Sequence, residues 1–233
     1  MNLMEKHYLK LKKLSLSLGK IKAVVWDCDG TLLDSEAQFA KAWQIVMKNY
    51  NVEISDERML GYVGMDDKIV HAELSKDVNL PDFQTTMNML HDSIREKLSH
   101  KDLLFKDSAV ALEYLRENNI KQGCASASPE KRLIQVLTDS NIIGYFESIY
   151  GGDMVENNKP SPEIYLATFH DLEVEPEDVL VIEDSPYGIE SGKRSGAQVL
   201  AIDRGMFSEE HLSYADYKLD ALDGESFTSI VSS

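Results

Sequence analysis

The sequence predicts an α/β fold in which a doubly wound parallel sheet carries an inserted, smaller all-helical domain. Three patterns predict it: short apolar runs that stop at a polar residue, helical segments that alternate with these runs, and a long helical stretch between the first two runs. Alternating strands and helices are typical of a Rossmann-like parallel sheet with helices on both faces.

The predicted strands are apolar runs that end abruptly. They are IKAVVW (21–26) before Asp27, GCA (123–125) before Ser126, VLVI (179–182) before Glu183, and QVLAI (198–202) before Asp203. Runs of this length that are rich in Val and Ile are typical of strands buried on both faces. Each polar residue therefore lies at the carboxyl end of a predicted strand.

The predicted helices follow these strands. The segment DSAVALEYLREN (107–118) has apolar residues at helical spacing and Asp107 as its predicted N-cap. Three Ser-Pro pairs each predict a helix start, with serine as the N-cap and proline as the first helical residue: Ser128-Pro129, Ser161-Pro162 and Ser185-Pro186. Gly196 is the predicted stop of the last of these helices.

The stretch at residues 35–103 has helical patterns and no convincing strand. We expect an inserted helical domain there, because a structureless loop of that length is improbable in a compact protein. The predicted core then comprises residues 21–34 and 104–233. Residues 1–20, with five lysines and one acid, are a predicted basic N-terminal extension without the apolar stretch of a signal peptide.

Composition excludes several classes of protein. The 233 residues include 40 acidic and 24 basic side chains, a net charge of −16, and 43% are hydrophobic. The hydrophobic content argues against a disordered chain, and the negative charge argues against a nucleic-acid partner. No apolar run has the length of a membrane span, and two cysteines cannot build a disulfide scaffold or a cysteine-ligated zinc site. We expect a cytoplasmic protein with no membrane partner, either a monomer or a weak dimer.

The densest group of chemical residues is the sequence DCDG, which starts at Asp27. Because Asp27 and Asp29 are two apart at a strand end, their side chains point the same way and lie within about 7 Å of each other. Such carboxylates repel unless a cation or a shared proton lies between them. Asp-x-Asp-Gly is also ordinary turn chemistry, and a calcium loop is disfavoured because the alternating ligands are missing.

Further polar residues are predicted at the same sheet edge. Glu183 and Asp184 add carboxylates there, so the sequence predicts a Mg²⁺ site with these candidate ligands: Asp27, Asp29, Glu183 and Asp184. Ser126 and Ala127 lead into a predicted helix N-terminus, which suits a phosphoryl group, and Lys159 could add a positive charge. Taken singly, such a serine is more often a cap or core hydroxyl and such a lysine more often a solvated one; beside an acidic cluster, a functional role for Ser126 and Lys159 becomes more frequent.

Over residues 21–203 the chain resembles the haloacid dehalogenase-like hydrolase superfamily, in particular its branch of sugar-phosphate phosphatases and β-phosphoglucomutases with a helical cap. The resemblance is carried by four ordered motifs: Asp27-Cys-Asp29-Gly-Thr31-Leu-Leu-Asp34, Cys-Ala-Ser126, Lys159-Pro-Ser-Pro-Glu-Ile-Tyr165 and Val-Ile-Glu183-Asp184-Ser-Pro-Tyr-Gly. It implies a small phosphorylated metabolite as substrate, a sugar phosphate above all.

The resemblance also implies a role for each matching residue. Asp27 would be the nucleophile that forms an aspartyl-phosphate, and Asp29 the general acid and then the general base. Mg²⁺ would be held by Asp27, the carbonyl of Asp29 and Asp184, with Glu183 beside or behind them. The phosphate would be bound by Ser126, Ala127 and Lys159, while Thr31 would brace the loop.

Three alternatives are less consistent with the sequence. A dehalogenase has no use for the acid Asp29. The mutases of the branch have a histidine where this chain has Phe39, and an arginine three residues after a cap glycine, where this chain has Asp67 after Gly64. A phospho-receiver domain would have the acid pair on its first strand, the nucleophile further along, and no inserted domain.

Within the helical domain, three side chains are candidates for contacting the non-phosphate end of the substrate: Arg58, Lys68 and His71. Most charges of such a domain are simply solvated.

Overall fold

A computed structural model describes residues 21–62, 67–97 and 103–232 of the chain. The predicted basic extension at 1–20 and Gly64 lie outside the described residues. The chain forms two compact units, the first comprising Met1–Leu32 with Phe105–Ser233 and the second Leu33–Leu104.

The first unit contains a six-stranded, all-parallel sheet with the order β3-β2-β1-β4-β5-β6. The strands are β1 (Ala23–Trp26), β2 (Lys121–Ser126), β3 (Ser148–Gly151), β4 (Val179–Glu183), β5 (Gln198–Ile202) and β6 (Tyr217–Leu219). All residues of the central strands β1 and β4 are buried, as the Val-rich and Ile-rich runs predict. The predicted doubly wound α/β fold is therefore confirmed.

Helices connect these strands and build the second unit. They are α1 (Ser35–Lys48), α2 (Asp56–Leu60), α3 (Asp67–Leu74), α4 (Phe83–Lys97), α5 (Lys106–Glu117), α6 (Glu130–Asp139), α7 (Glu163–Asp171), α8 (Pro186–Arg194), α9 (Glu209–Leu212) and α10 (Glu225–Val231). Short 3₁₀ turns lie at Ile143–Tyr145 and Pro176–Asp178. No helix of the described residues is both long and apolar enough for a membrane span.

The predicted start of α8 is confirmed. Ser185 is its N-cap, the amide of Gly188 donates to the Ser185 hydroxyl at 3.1 Å, and Pro186 is the first helical residue. The chain leaves the helix through Gly196 at φ +87°, a conformation that favours glycine.

The other predicted starts are displaced by a residue. Helices α6 and α7 begin after Pro129 and Pro162, which are themselves the N-caps. The Ser128 hydroxyl donates to Asp29 at 2.8 Å, while the Ser161 hydroxyl donates to Glu163 Oε1 at 3.2 Å and accepts from the amide of Glu163 at 3.5 Å.

Asp107 is likewise not the N-cap of α5, because Phe105 has that position. The Asp107 carboxylate instead pairs with Arg204 at 2.8 Å and accepts from the amide of Leu222 at 3.0 Å. It therefore ties the start of α5 to the later part of the chain.

The second unit has its own apolar core. Helix α1 packs against α4, and the buried side chains include Trp43, Met47, Leu74 and Leu90. The described residues of this unit form helices and, at Leu33 and Leu104, one isolated antiparallel bridge.

Candidate active site

The candidate site lies at the carboxyl ends of β1 and β4, where the strand order reverses. Trp26 pairs with Ile182, so the residues that follow, Asp27 and Glu183, leave the sheet side by side. The amide of Asp27 donates to the carbonyl of Ile182 at 2.9 Å, which fixes the start of the loop. Ligands of open parallel sheets bind at such a point, outside the carboxyl ends of the strands.

Lys159 bridges these two carboxylates. Its Nζ donates to Asp27 Oδ1 at 2.6 Å, to Glu183 Oε1 at 2.7 Å and to the Ala125 carbonyl at 2.9 Å. The exposed fraction of the side chain is 5% for Lys159, 9% for Asp27 and 0% for Glu183. Burial alone would lower the pKa of Lys159, but the charges of Asp27 and Glu183 outweigh burial and raise it well above its ordinary value. Lys159 is therefore an ammonium group at neutral pH.

Glu183 is surrounded by donors. Oε1 also accepts from the Tyr165 hydroxyl at 2.8 Å, while Oε2 accepts from the amide of Asp184 at 3.1 Å, the amide of Ser185 at 3.2 Å and the hydroxyl of Ser185 at 3.0 Å. A Cβ atom at Gly188 would lie 1.6 Å from Oε1, so only glycine leaves room for this carboxylate. Glu183 thus anchors both Lys159 and the start of α8.

Asp184 completes an acidic group. Ligand oxygens of Asp27, Glu183 and Asp184, all buried, lie within 4.8 Å of one another. The Thr31 hydroxyl donates to Asp184 Oδ1 at 3.0 Å, which fits the predicted bracing role of Thr31. Gly30, at φ +87°, passes so close that a Cβ atom there would lie 2.2 Å from Asp184 Oδ2.

The charges of this group do not balance. Burial and the neighbouring Glu183 raise the pKa of Asp184 to about 7 and the pKa of Asp27 well above its ordinary value. With all three carboxylates ionised and one ammonium group, the net charge is −3 + 1 = −2. Hard oxygen ligands with two uncompensated negative charges suit a divalent cation such as Mg²⁺.

Asp29 belongs to a neighbouring group at the end of β2. Its Oδ2 accepts from the hydroxyls of Ser126 at 3.3 Å and Ser128 at 2.8 Å. Arg132 Nη1 donates to Oδ2 and Nη2 to Oδ1, each at 3.2 Å. The Asp29 carboxylate is not part of the acidic group described above, so the predicted ligand role concerns its carbonyl oxygen.

Ser126 and Ala127 occupy the loop between β2 and α6. The Ser126 hydroxyl is buried and accepts from the amide of Ser128 at 3.1 Å. The Ala127 carbonyl accepts from Asn158 at 3.0 Å, one residue before Lys159. The structure thus places the predicted phosphate-binding residues on two connected loops at the same sheet edge.

With this arrangement established, comparison with known proteins identifies the family. The family of haloacid dehalogenase-like hydrolases matches the chain over residues 24–202. The chain belongs to the haloacid dehalogenase-like hydrolases. The predicted resemblance and the predicted hydrolase class are both confirmed by this match.

Relatives and solved structures of the family support the same conclusion. A phosphorylated carbohydrates phosphatase of Thermotoga maritima is 29% identical over 181 residues, which cover 76% of this chain and 83% of the relative. A fructose-1-phosphate phosphatase of Escherichia coli is 24% identical over 188 residues, 77% of this chain and 95% of the relative. The crystal structure of a family hydrolase from Deinococcus radiodurans, with bound phosphate and sodium, has a TM-score of 0.70 and 25% identity over 87% of this chain and 92% of that chain.

The sequence assigned no role to two side chains of this site, Tyr165, which ends the third motif, and Arg132, which lies outside the motifs. Tyr165, in the first turn of α7, donates a hydrogen bond to Glu183. Arg132, in the first turn of α6, forms an ion pair with Asp29. The spacing of Ser128 and Arg132, four residues apart at a helix start, could have indicated that both reach the same neighbour.

The candidate substrate contacts of the second unit are engaged within that unit. Arg58 pairs with Asp77 at 2.6 Å, and His71 Nε2 lies 2.9 Å from the Pro81 carbonyl. The Lys68 ammonium lies 5.9 Å from the centre of the Phe83 ring. These contacts give all three side chains structural partners.

Proposed function

We propose that this hydrolase is a Mg²⁺-dependent phosphatase that acts on a small phosphorylated metabolite, a sugar phosphate, through an aspartyl-phosphate on Asp27. The observation that carries the proposal is the buried Asp27 carboxylate, held at one oxygen by Lys159 and flanked by two further carboxylates. The phosphatases among its relatives support the reaction type, and the carbohydrate and fructose 1-phosphate substrates in their names support the substrate class.

The residues present fit a Mg²⁺ ion. Asp27, Asp184 and the carbonyl of Asp29 would be its protein ligands, with Glu183 behind them because donors already surround its oxygens. When bound, the ion neutralises charge on the nucleophile and on the substrate phosphate, which otherwise repel each other.

Lys159 orients the nucleophile. Because its Nζ holds Oδ1 of Asp27, and the described residues donate no hydrogen bond to Oδ2, Oδ2 is the oxygen that attacks phosphorus. A bond forms between Oδ2 and phosphorus while the bond to the ester oxygen breaks. Asp29 gives a proton to the leaving oxygen, so that an alcohol departs rather than an alkoxide.

Asp29 then acts as the general base of the second step. It takes a proton from a water molecule as the water oxygen attacks phosphorus, and the bond to Asp27 breaks with its electron pair on the carboxylate. Phosphate leaves, and Asp29 carries the proton that the next turnover needs.

A phosphosugar mutase is not supported by the contacts. Phe39 packs against the apolar core of the second unit and has no ring nitrogen to replace the histidine of the mutases. The position of the mutases' arginine is Asp67 in this chain, the first residue of α3, and an aspartate has no guanidinium group to replace the arginine.

The test is a panel of phosphorylated sugars and other small phosphate esters, in which free phosphate and isomer formation are followed together. We expect phosphate release with Mg²⁺, loss of release with EDTA, and a fall of about a thousandfold or more in Asp27→Asn. Asp223→Asn, at an exposed site, is the matched control. Turnover that persists in EDTA or in Asp27→Asn would contradict the proposal, and isomer formation with little free phosphate would favour a mutase.

A further inference from the structure

We propose that Arg132 is a positioning residue that holds Asp29 for the second half of the reaction, the attack of water on the phosphoaspartate. This inference rests on the proposed function. It concerns a side chain that lies outside the four sequence motifs.

Arg132 and Asp29 form a bidentate ion pair. Both terminal nitrogens of Arg132 reach the carboxylate, one oxygen each, at 3.2 Å. Planar guanidinium groups bind carboxylates in this way, and the two parallel bonds fix the orientation of the carboxylate plane as well as its position. Nη1 of Arg132 also donates to the hydroxyl of Ser128, which itself donates to Asp29 at 2.8 Å.

The contacts of Asp29 with the described residues leave one of its carboxylate oxygens more open than the other. Every contact that the described residues make with its carboxylate is a donation to it, from Ser126, Ser128 and Arg132. Oδ2 accepts three of these hydrogen bonds, whereas Oδ1 accepts one. Oδ1 is therefore the oxygen with a lone pair available for the proton of water.

Its position also suits that step. Oδ2 lies 3.3 Å from the hydroxyl of Ser126, which is the hydroxyl proposed to bind the transferring phosphate. The bidentate contact with Arg132 thus keeps the Asp29 carboxylate beside the phosphate subsite even when no substrate alcohol contacts it. A base that is held there before water attacks favours hydrolysis of the phosphoenzyme.

The test uses Arg132→Gln and the full chain with Mg²⁺ and p-nitrophenyl phosphate. The phenolate of this ester leaves without much help from an acid, so formation of the phosphoenzyme stays fast. We expect the variant to release a first equivalent of p-nitrophenol at the wild-type rate, then to slow at least about tenfold while phosphate remains bound to the protein in quenched samples. Lys131→Gln, an exposed neighbour on the same helix, is the matched control with the same change of charge.

Two further variants separate positioning from a general loss of structure. Arg132→Lys, which keeps one charged donor, should recover part of the rate. In an Asp29→Asn background, Arg132→Gln should slow loss of the phosphoenzyme by no more than about twofold, because the two residues act as one unit.

An equal slowing of the first and later turnovers in Arg132→Gln, with no phosphoprotein, would overturn the inference, and so would rates equal to those of Lys131→Gln. Full additivity in the Asp29→Asn background would overturn it as well. Failure of the wild type to release phosphate from any ester would instead overturn the proposed function.

Discussion

At the scale of single residues, the site depends on small residues as much as on charged ones. Glu183 keeps its carboxylate next to Lys159, Tyr165 and Ser185 only because Gly188 has no side chain. Since the backbone of α8 cannot retreat without losing its own cap, an added methyl group must displace the carboxylate.

Gly188→Ala tests this dependence. We expect a loss of about 1–3 kcal/mol in the free energy of unfolding, which is typical of overpacking, and a larger proportional loss of phosphatase activity because Lys159 loses its anchor. Urea denaturation and phosphate release measure the two effects. Gly144→Ala is the control, because a Cβ atom there would meet no neighbour within 4 Å. A Gly188→Ala protein with wild-type stability and activity would contradict this account of the carboxylate.

Most of the residues in the site could be predicted from the sequence because each ends a strand or belongs to a motif. Asp27, Glu183 and Asp184 follow apolar runs, and parallel pairing alone brings such residues to one edge. Arg132 lies outside the motifs, and Tyr165 belongs to a motif that assigns it no role. Their contacts could not be predicted, since they depend on how far each helix is rotated about its axis, which packing decides.

At the scale of secondary structure elements, helix α8 links the fold to the site. Its N-cap hydroxyl, on Ser185, accepts from the amide of Gly188 at 3.1 Å and donates to Glu183 Oε2 at 3.0 Å. One hydroxyl therefore starts the helix and holds the carboxylate.

Ser185→Ala should accordingly lower the free energy of unfolding by more than the removal of an ordinary N-cap does. We expect about 2–3 kcal/mol in the free energy of unfolding, the sum of a cap and a hydrogen bond to a charged group. The comparison is Ser55→Ala, because Ser55 is the N-cap of α2 and its hydroxyl accepts from the amide of Arg58 at 3.2 Å. Equal losses in the two variants, measured by urea denaturation, would show that the bond to Glu183 contributes nothing.

Two strands that sequence patterns did not predict are short. Strand β3 is the sequence SIYG, and β6 is YKL with an exposed lysine between half-buried neighbours. Such segments carry little signal of their own, and they become strands because β2 and β5 offer free edges for pairing.

At the scale of the whole molecule, the site places unfavourable charge in the interior of the sheet unit. Asp184, with its pKa raised from 3.8 to about 7 by burial and by Glu183, binds a proton more tightly in the folded chain than in the unfolded chain. Its contribution to stability is therefore fully present below about pH 4 and is lost as the pH rises to about 7.

Asp184→Asn tests this effect of the buried Asp184 charge on stability. In EDTA, we expect the free energy of unfolding of the wild type, relative to that of the variant, to fall by about 3 kcal/mol between pH 4 and pH 7. The variant should also have no phosphatase activity. Chemical denaturation at a series of pH values measures the difference, and a difference that is independent of pH would contradict the assigned burial of charge.

The proposed reaction depends above all on the carboxylate of Asp27 being the nucleophile. An acyl phosphate on aspartate is reduced by borohydride to homoserine, which peptide mass spectrometry locates in the sequence. After rapid mixing of the Asp29→Asn protein with Mg²⁺ and p-nitrophenyl phosphate, followed by borohydride, we expect homoserine at position 27 and aspartate there when the ester is omitted. Homoserine at another position, or unmodified Asp27 in protein that has released p-nitrophenol, would contradict the proposed reaction.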